Sequence, residues 1–137
     1  MRTALDTNIV SALWSNEPGA QAIAKRLSEV QYVGAILLSG VTYCELLAYP
    51  KATEAFVNEF CARTGIAIDF HLQDSVWTEA GRRFAKYANR RRKAKDGDPK
   101  RLLADFLVGA HALLQADRLM TRDERRYRQD FPELVLL

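Results

Sequence analysis

Thr3-Ala4-Leu5-Asp6-Thr7-Asn8 is the stretch on which the fold turns. Three residues of buried-strand character run straight into a carboxylate, and the spacing of Ile9, Val10, Leu13 and Trp14 predicts a helix starting at Asn8. Asp6 then stands at the carboxyl end of a first strand. In open α/β sheets that rim is where ligands collect, because loops and helix N-termini open there.

The same alternation continues outward from this start. Pro18 and Gly19 break the first helix, and a second is expected to run to about Val30 with Ile23, Leu27 and Val30 on one face. Val33 to Leu38 is a continuous apolar run, as a strand buried on both faces requires. The helix that follows carries Glu45. Thr42 and Glu45 have capping-box spacing, which would make the acid a helix-start partner. Ser39 is an equally good N-cap, and a helix beginning there leaves Glu45 in its second turn with its carboxylate available.

Pro50 ends that segment, Ala52 to Arg63 predicts a helix with Ala55, Phe56 and Phe60 inward, and Ile66-Ala67-Ile68 predicts a strand. Asp74 is a suitable N-cap for a long helix with a core stripe of Trp77, Ala80, Gly81, Phe84 and Ala88. After the Asp96-Gly97 turn signal, Asp98-Pro99 has the form of a helix start, with Asp98 as cap. That helix carries Leu102, Leu103, Phe106, Leu107, Ala110, Leu113 and Leu114 on one broad face and Asp105 at its margin, in the second turn. His111 is rotated from Asp105 by about 240° and cannot share its ligand. Leu119-Met120-Thr121 predicts a brief strand, after which Asp123 either joins the rim or complements a helix N-terminus, since Thr121 and Glu124 again have capping-box spacing. Glu133 to Leu137 is an apolar tail that can add a last strand. Short strands alternating with helices imply an α/β fold with right-handed crossovers and a mostly parallel central sheet covered on both faces, in a single domain over 1–137.

Composition removes several functions. With 48% apolar residues the chain can bury one core, and its apolar runs are far too short to span a bilayer, so a soluble, cytoplasmic protein without a membrane partner is expected. Cys44 and Cys61 lack metal or redox spacing and are taken as small core residues; His71 and His111 are isolated and taken as structural. Of the net charge of +3, the segment from Arg82 to Arg101 contributes ten Lys or Arg against two Asp, a local +8 that leaves the remainder at −5. An acidic body with a basic stripe suits a polyanionic partner, although such a run also serves as a solvated helix end or loop.

Asp6, Glu45, Asp105 and Asp123 can all reach one rim of the sheet. Carboxylates pressed together stay ionised mainly when a cation sits among them. Hard oxygen donors without cysteine or paired histidine favour Mg²⁺ or Mn²⁺ over zinc, and the chemistry such an ion supports is phosphodiester hydrolysis. The second aspartate of a haloacid-dehalogenase phosphatase is missing, Asn8 standing in its place. A receiver-domain acidic pair, a glycine-rich phosphate loop and a Gly-x-Ser-x-Gly turn are absent as well.

Leu5-Asp6-Thr7-Asn8, Glu45-Leu46, Ala104-Asp105-Phe106-Leu107 with Ala110-His111-Ala112-Leu113, and Leu119-Met120-Thr121-Arg122-Asp123 resemble, in order, the motifs of PIN-domain ribonucleases. The likeness is nearest to the VapC toxins of bacterial and archaeal toxin–antitoxin pairs and covers essentially the whole chain. It implies a three-layer α/β/α fold, Mg²⁺- or Mn²⁺-dependent endoribonuclease activity on RNA, inhibition by a small cognate antitoxin, and a homodimer. Asp6, Glu45, Asp105 and Asp123 match the family's acidic quartet as catalytic and metal-binding residues, and Asn8 and Thr121 match its polar supports. Arg122, Arg125 and Arg126 then stand beside the site as candidate RNA-phosphate donors or surface ion-pair partners. Arg90, Arg91 and Arg92 open a basic segment heavier than the family's usual one, which either grips RNA or forms a loop. The alternative function is a non-catalytic PIN-like module that binds nucleic acid or protein through this stripe.

Overall fold

In the computed structural model, which describes residues 1–94 and 100–137, helices and short strands alternate. Among the described residues they are β1 (Thr3–Leu5), α1 (Thr7–Trp14), α2 (Ala20–Val33), β2 (Ile36–Ser39), α3 (Gly40–Leu47) and α4 (Glu54–Thr64), followed by β3 (Ile66–Asp69), α5 (Asp74–Lys93), α6 (Leu103–Gln115), β4 (Arg118–Met120) and α7 (Glu124–Asp130). All four strands are parallel, in the order β3-β2-β1-β4, with Thr3 opposite Ile36 on one side and Arg118 on the other. This order decides where the site lies. The chain leaves β1 in one direction for β2 and β3 and later returns to its other side for β4. The crevice beyond the carboxyl ends of β1 and β4 is therefore the switch point of the sheet. Asp6 and Thr121 are the first residues past those two ends.

Alternation along the strands feeds a core on each face. Leu5, Ile36, Leu38 and Met120 pack against Ile9, Val10, Val30, Leu46, Val57 and Cys61 from α1 to α4. Ala4 and Leu119 face the other way, onto Val76, Ala80, Phe106, Val108, Tyr127 and Phe131. The resulting α/β/α layering is the architecture expected from the sequence. The C-terminal tail supports β4 as an isolated parallel bridge of Leu136 to Leu119, with the Leu137 amide donating to the Leu119 carbonyl at 2.9 Å.

Several expected details shift. Val33 ends α2 and is 56% exposed, because Gly34 rather than the apolar run marks the boundary. Any side chain at Gly34 would collide with the backbone of Met1. The inward stripes of two helices are displaced: α4 buries Val57 and Cys61 while Phe56 is exposed, and α5 buries Val76, Ala80 and Tyr87 while Trp77 is exposed. The expected stripes are offset around each helix by about one residue, Val57 being buried beside exposed Phe56 and Val76 beside exposed Trp77. On α3 the buried positions are Thr42 and Leu46, so Cys44 points to solvent rather than into the core; Cys61 is buried as expected. The expected cap Asp98, with Asp96-Gly97 and Pro99, lies outside the described residues. Residues 100–102 are not helical, so α6 starts at Leu103 and Asp105 falls in its first turn rather than its second.

Candidate metal and catalytic site

The backbone places Asp6 first. Its amide donates to the Met120 carbonyl at 3.0 Å, continuing the β1–β4 ladder, after which the chain turns into α1 with Asp6 as N-cap. Its Oδ1 accepts the Thr7 amide at 2.8 Å. Its Oδ2 accepts the hydroxyls of Thr121 at 2.8 Å and Tyr127 at 3.0 Å. The carboxylate is thus clamped from both switch-point strands and from α7, and it is only 4% exposed. Burial pushes the Asp6 carboxyl up from the usual range; the Thr121 and Tyr127 hydroxyls, the Thr7 amide and the Arg126 charge oppose this without cancelling it.

Glu45 reaches the same rim from α3. Ser39 caps that helix, its Oγ accepting the Thr42 amide at 3.2 Å, so the capping-box role of Glu45 is excluded and its carboxylate is available. Thr7 Oγ1 donates to Glu45 Oε1 at 2.6 Å, tying the acid after β1 to the acid on α3 through adjacent residues. Burial raises the Glu45 pKa, and the charges of Asp6 and Asp105 add to the rise, against the Thr7 hydrogen bond and Arg126. Asp105 enters from the start of α6, where its Oδ2 accepts the Leu102 amide at 3.3 Å. Asp123 caps α7 by accepting the Arg126 amide at 3.3 Å and donates its own amide to Thr121 Oγ1 at 3.1 Å. The helix-cap and rim placements of Asp123, which the sequence left as alternatives, coexist.

The polar supports also take their places. Thr121 is the hub: it donates to Asp6 and accepts from the Asp123 amide and, at 3.4 Å, from Asn8 Nδ2. Asn8 Oδ1 in turn accepts the Arg122 amide at 3.2 Å. Two supports went unassigned in the sequence. Thr7 is adjacent to the first acid, and Tyr127 lies four residues after Asp123, one helical turn on; that spacing is the signal that points to it. Burial, together with the Asp6 and Asp105 charges, pushes the Tyr127 hydroxyl far above its usual range, so it stays a donor to Asp6 at any working pH.

The arginines divide. Arg122 pairs with Glu17 and Arg125 is exposed on α7. Arg126 turns into the acids, its Nη1 3.3 Å from Asp105 Oδ1 and its Nε 3.4 Å from Asp123 Oδ2. Near the end of α5, Arg90 pairs with Asp130 at 3.1 Å, while Arg91 and Arg92 line a groove of about 420 Å³ with Phe84, Tyr87, Lys100 and Arg101. Arg101 also lines the small crevice holding Asp105 and Arg126, so the basic groove abuts the acids. His111, buried on α6, hydrogen-bonds Asp69 at 2.9 Å and belongs to the scaffold.

Among the described residues, no three acids, histidines or cysteines close into a ready-made ligand cage. The donor set nevertheless suits a hard divalent cation. It is all oxygen, Asp6 is held rigidly, and at Glu45 the charges of Asp6 and Asp105 add to the rise that burial causes, a crowding of negative charge that a cation relieves.

The whole fold is similar to that of known structures. A chain in the crystal structure of VapBC2 from Rickettsia felis bound to a DNA fragment from their promoter matches with a TM-score of 0.75 and 17% identity, over 100% of this chain and 98% of that one. VapBC-1 from nontypeable Haemophilus influenzae gives a TM-score of 0.68 and 25% identity, over 100% and 97%. A toxin-antitoxin complex from Klebsiella pneumoniae gives 0.63 and 20%, over 97% and 95%. No curated protein matches the chain. Residues 3–132 match the PIN domain, and the chain belongs to the PIN-domain family.

Proposed function

We propose that this chain, as one domain over 1–137, is the toxin of a type II toxin–antitoxin pair and a Mg²⁺- or Mn²⁺-dependent endoribonuclease. The observation that carries the reading is the clamped Asp6 carboxylate at the β1–β4 switch point, with Glu45 linked to it through Thr7. The similarity to VapBC structures and to a toxin-antitoxin complex supports a small antitoxin as partner, and a homodimer accompanies the same reading.

Asp6, Glu45, Asp105 and Asp123 would hold the ion. When bound, it supplies charge neutralisation at the scissile phosphate and lowers the pKa of an attacking water. The rest is done by the chain. Thr121 and Tyr127 aim Asp6 Oδ2 by donating to it, and Thr7 aims Glu45. Asn8 fixes Thr121 and the start of the 122–123 turn. Arg91, Arg92, Lys100 and Arg101 offer RNA phosphates a basic track toward Asp105, with Arg122, paired with Glu17, and exposed Arg125 as further phosphate donors and Arg90 held in an ion pair with Asp130.

Induced expression in bacteria tests this reading. The native chain should arrest growth and Asp6→Asn should not, at equal soluble levels, and co-expression of a cognate antitoxin should restore growth. Arrest that persists undiminished in Asp6→Asn would favour the non-catalytic binding module.

A further inference from the structure

Arg126 stands between Asp105 and Asp123, where a cation shared by those two carboxylates would stand. We propose that its guanidinium is a built-in counter-cation that competes with the divalent ion for these acids, so that metal binding is an exchange in which the Arg126 side chain gives way. The proposal rests on the metal reading above and deepens it by assigning the site a regulator within its own chain.

The contacts have the character of a replaceable partner. Charge-assisted N–H···O bonds fall near 2.7–2.9 Å and arginine prefers to grip one carboxylate with two parallel bonds. Arg126 instead makes one bond at 3.3 Å to Asp105 and a 3.4 Å ion pair with Asp123, and its Nε is shut from water with no hydrogen-bond partner. Arg83 shows the opposite arrangement on the same fold. It binds Glu133, Glu79 and the Asp130 carbonyl and lies over the Phe131 ring at 4.6 Å. Arg126 is therefore held by charge rather than by fit.

The Arg126 backbone is fixed by its amide bond to Asp123, while the side chain is 34% exposed and has a way out to solvent. The competition also selects by charge. A dication gains more from four carboxylates than one guanidinium does, whereas a monovalent ion offers no advantage.

The test uses metal-stripped full-length protein and Mn²⁺ alone, titrated calorimetrically into the native chain, Arg126→Gln, Arg126→Lys, Arg125→Gln and Asp6→Asn. Arg126→Gln should bind Mn²⁺ roughly tenfold tighter than the native chain, Arg126→Lys less so, and Arg125→Gln within about twofold of native. Equal or weaker binding by folded Arg126→Gln, or an equal gain in Arg125→Gln, overturns the proposal. Absence of binding in both the native chain and Arg126→Gln overturns the metal reading itself, which separates the two failures. A second measurement needs no neutralising variant. In ¹⁵N-arginine spectra, the Arg126 Nε–Hε signal, assigned by its loss in Arg126→Lys, should exchange faster with water on adding Mg²⁺. A signal unchanged at saturating Mg²⁺ contradicts the exchange.

Discussion

At the residue scale the site is a buried carboxylate kept ionisable by donors. Asp6 holds its proton more tightly in the folded chain than in the unfolded one, because burial disfavours its charge. Its contribution to stability is therefore present below the ordinary carboxylate value, is lost as pH rises through the raised folded value, and stays lost at neutral pH. In metal-free buffer, Asp6→Asn should melt at the same temperature as the native chain or higher at neutral pH, with the advantage vanishing as pH falls below that window. A lower melting temperature at neutral pH would contradict this assignment. Tyr127→Phe removes one of two hydroxyl donors to Asp6 Oδ2 inside the core. It should cost about 1.5–3 kcal/mol in denaturant titrations and lower metal affinity by roughly 10–100-fold, as loss of a ligand's supporting bond does elsewhere.

At the element scale, α6 packs with no room to spare at one position. Gly109 sits where an added Cβ would lie 2.5 Å from the Phe131 ring, which is itself 2% exposed. Gly109→Ala gains at most about 1 kcal/mol in helix propensity, whereas overpacking a closed core costs about 1–3 kcal/mol. The clash should win, with a net loss of stability on urea unfolding. The elements also show what the sequence could and could not disclose. Asp6, Glu45, Asp105 and Asp123 were legible because each acid follows or interrupts an apolar segment, and that local break survives folding. The choice between Ser39 and Thr42 as cap, the first-turn position of Asp105 and the inward stripe of α5 were not. Each depends on which of two equivalent local patterns fits the sheet, a decision made by tertiary packing. Tyr127 escaped notice for a related reason, since a buried aromatic on a short helix looks like core until its hydroxyl is seen to reach Asp6.

At the scale of the whole molecule, charge is segregated between the acidic rim and the groove beside it. Arg91, Arg92, Lys100 and Arg101 line that groove, and Arg101 connects it to Asp105 and Arg126. If single-stranded RNA follows this track, Arg91→Ala combined with Arg92→Ala should weaken binding across sequences alike. It should also flatten the dependence of log affinity on log salt by roughly 1–1.5, at about 0.7 for each phosphate no longer neutralised. An unchanged salt slope would assign those side chains to solvent. The strand order explains why this geometry is available: only at the β1–β4 switch point do two strand ends and the starts of α1 and α7 open onto one place. No helix among the described residues is long and apolar enough to cross a membrane.

In the function proposed for this chain, four separated acids act as one metal-dependent nuclease site. The most direct measurement is cleavage of end-labelled structured RNAs by purified protein freed of antitoxin, in Mg²⁺, Mn²⁺ or EDTA, beside Asp6→Asn. Discrete cuts that require the metal and disappear in the folded mutant are the predicted result. Cutting that survives EDTA or Asp6→Asn, or no cutting of any RNA by folded protein shown to bind Mn²⁺, would contradict it.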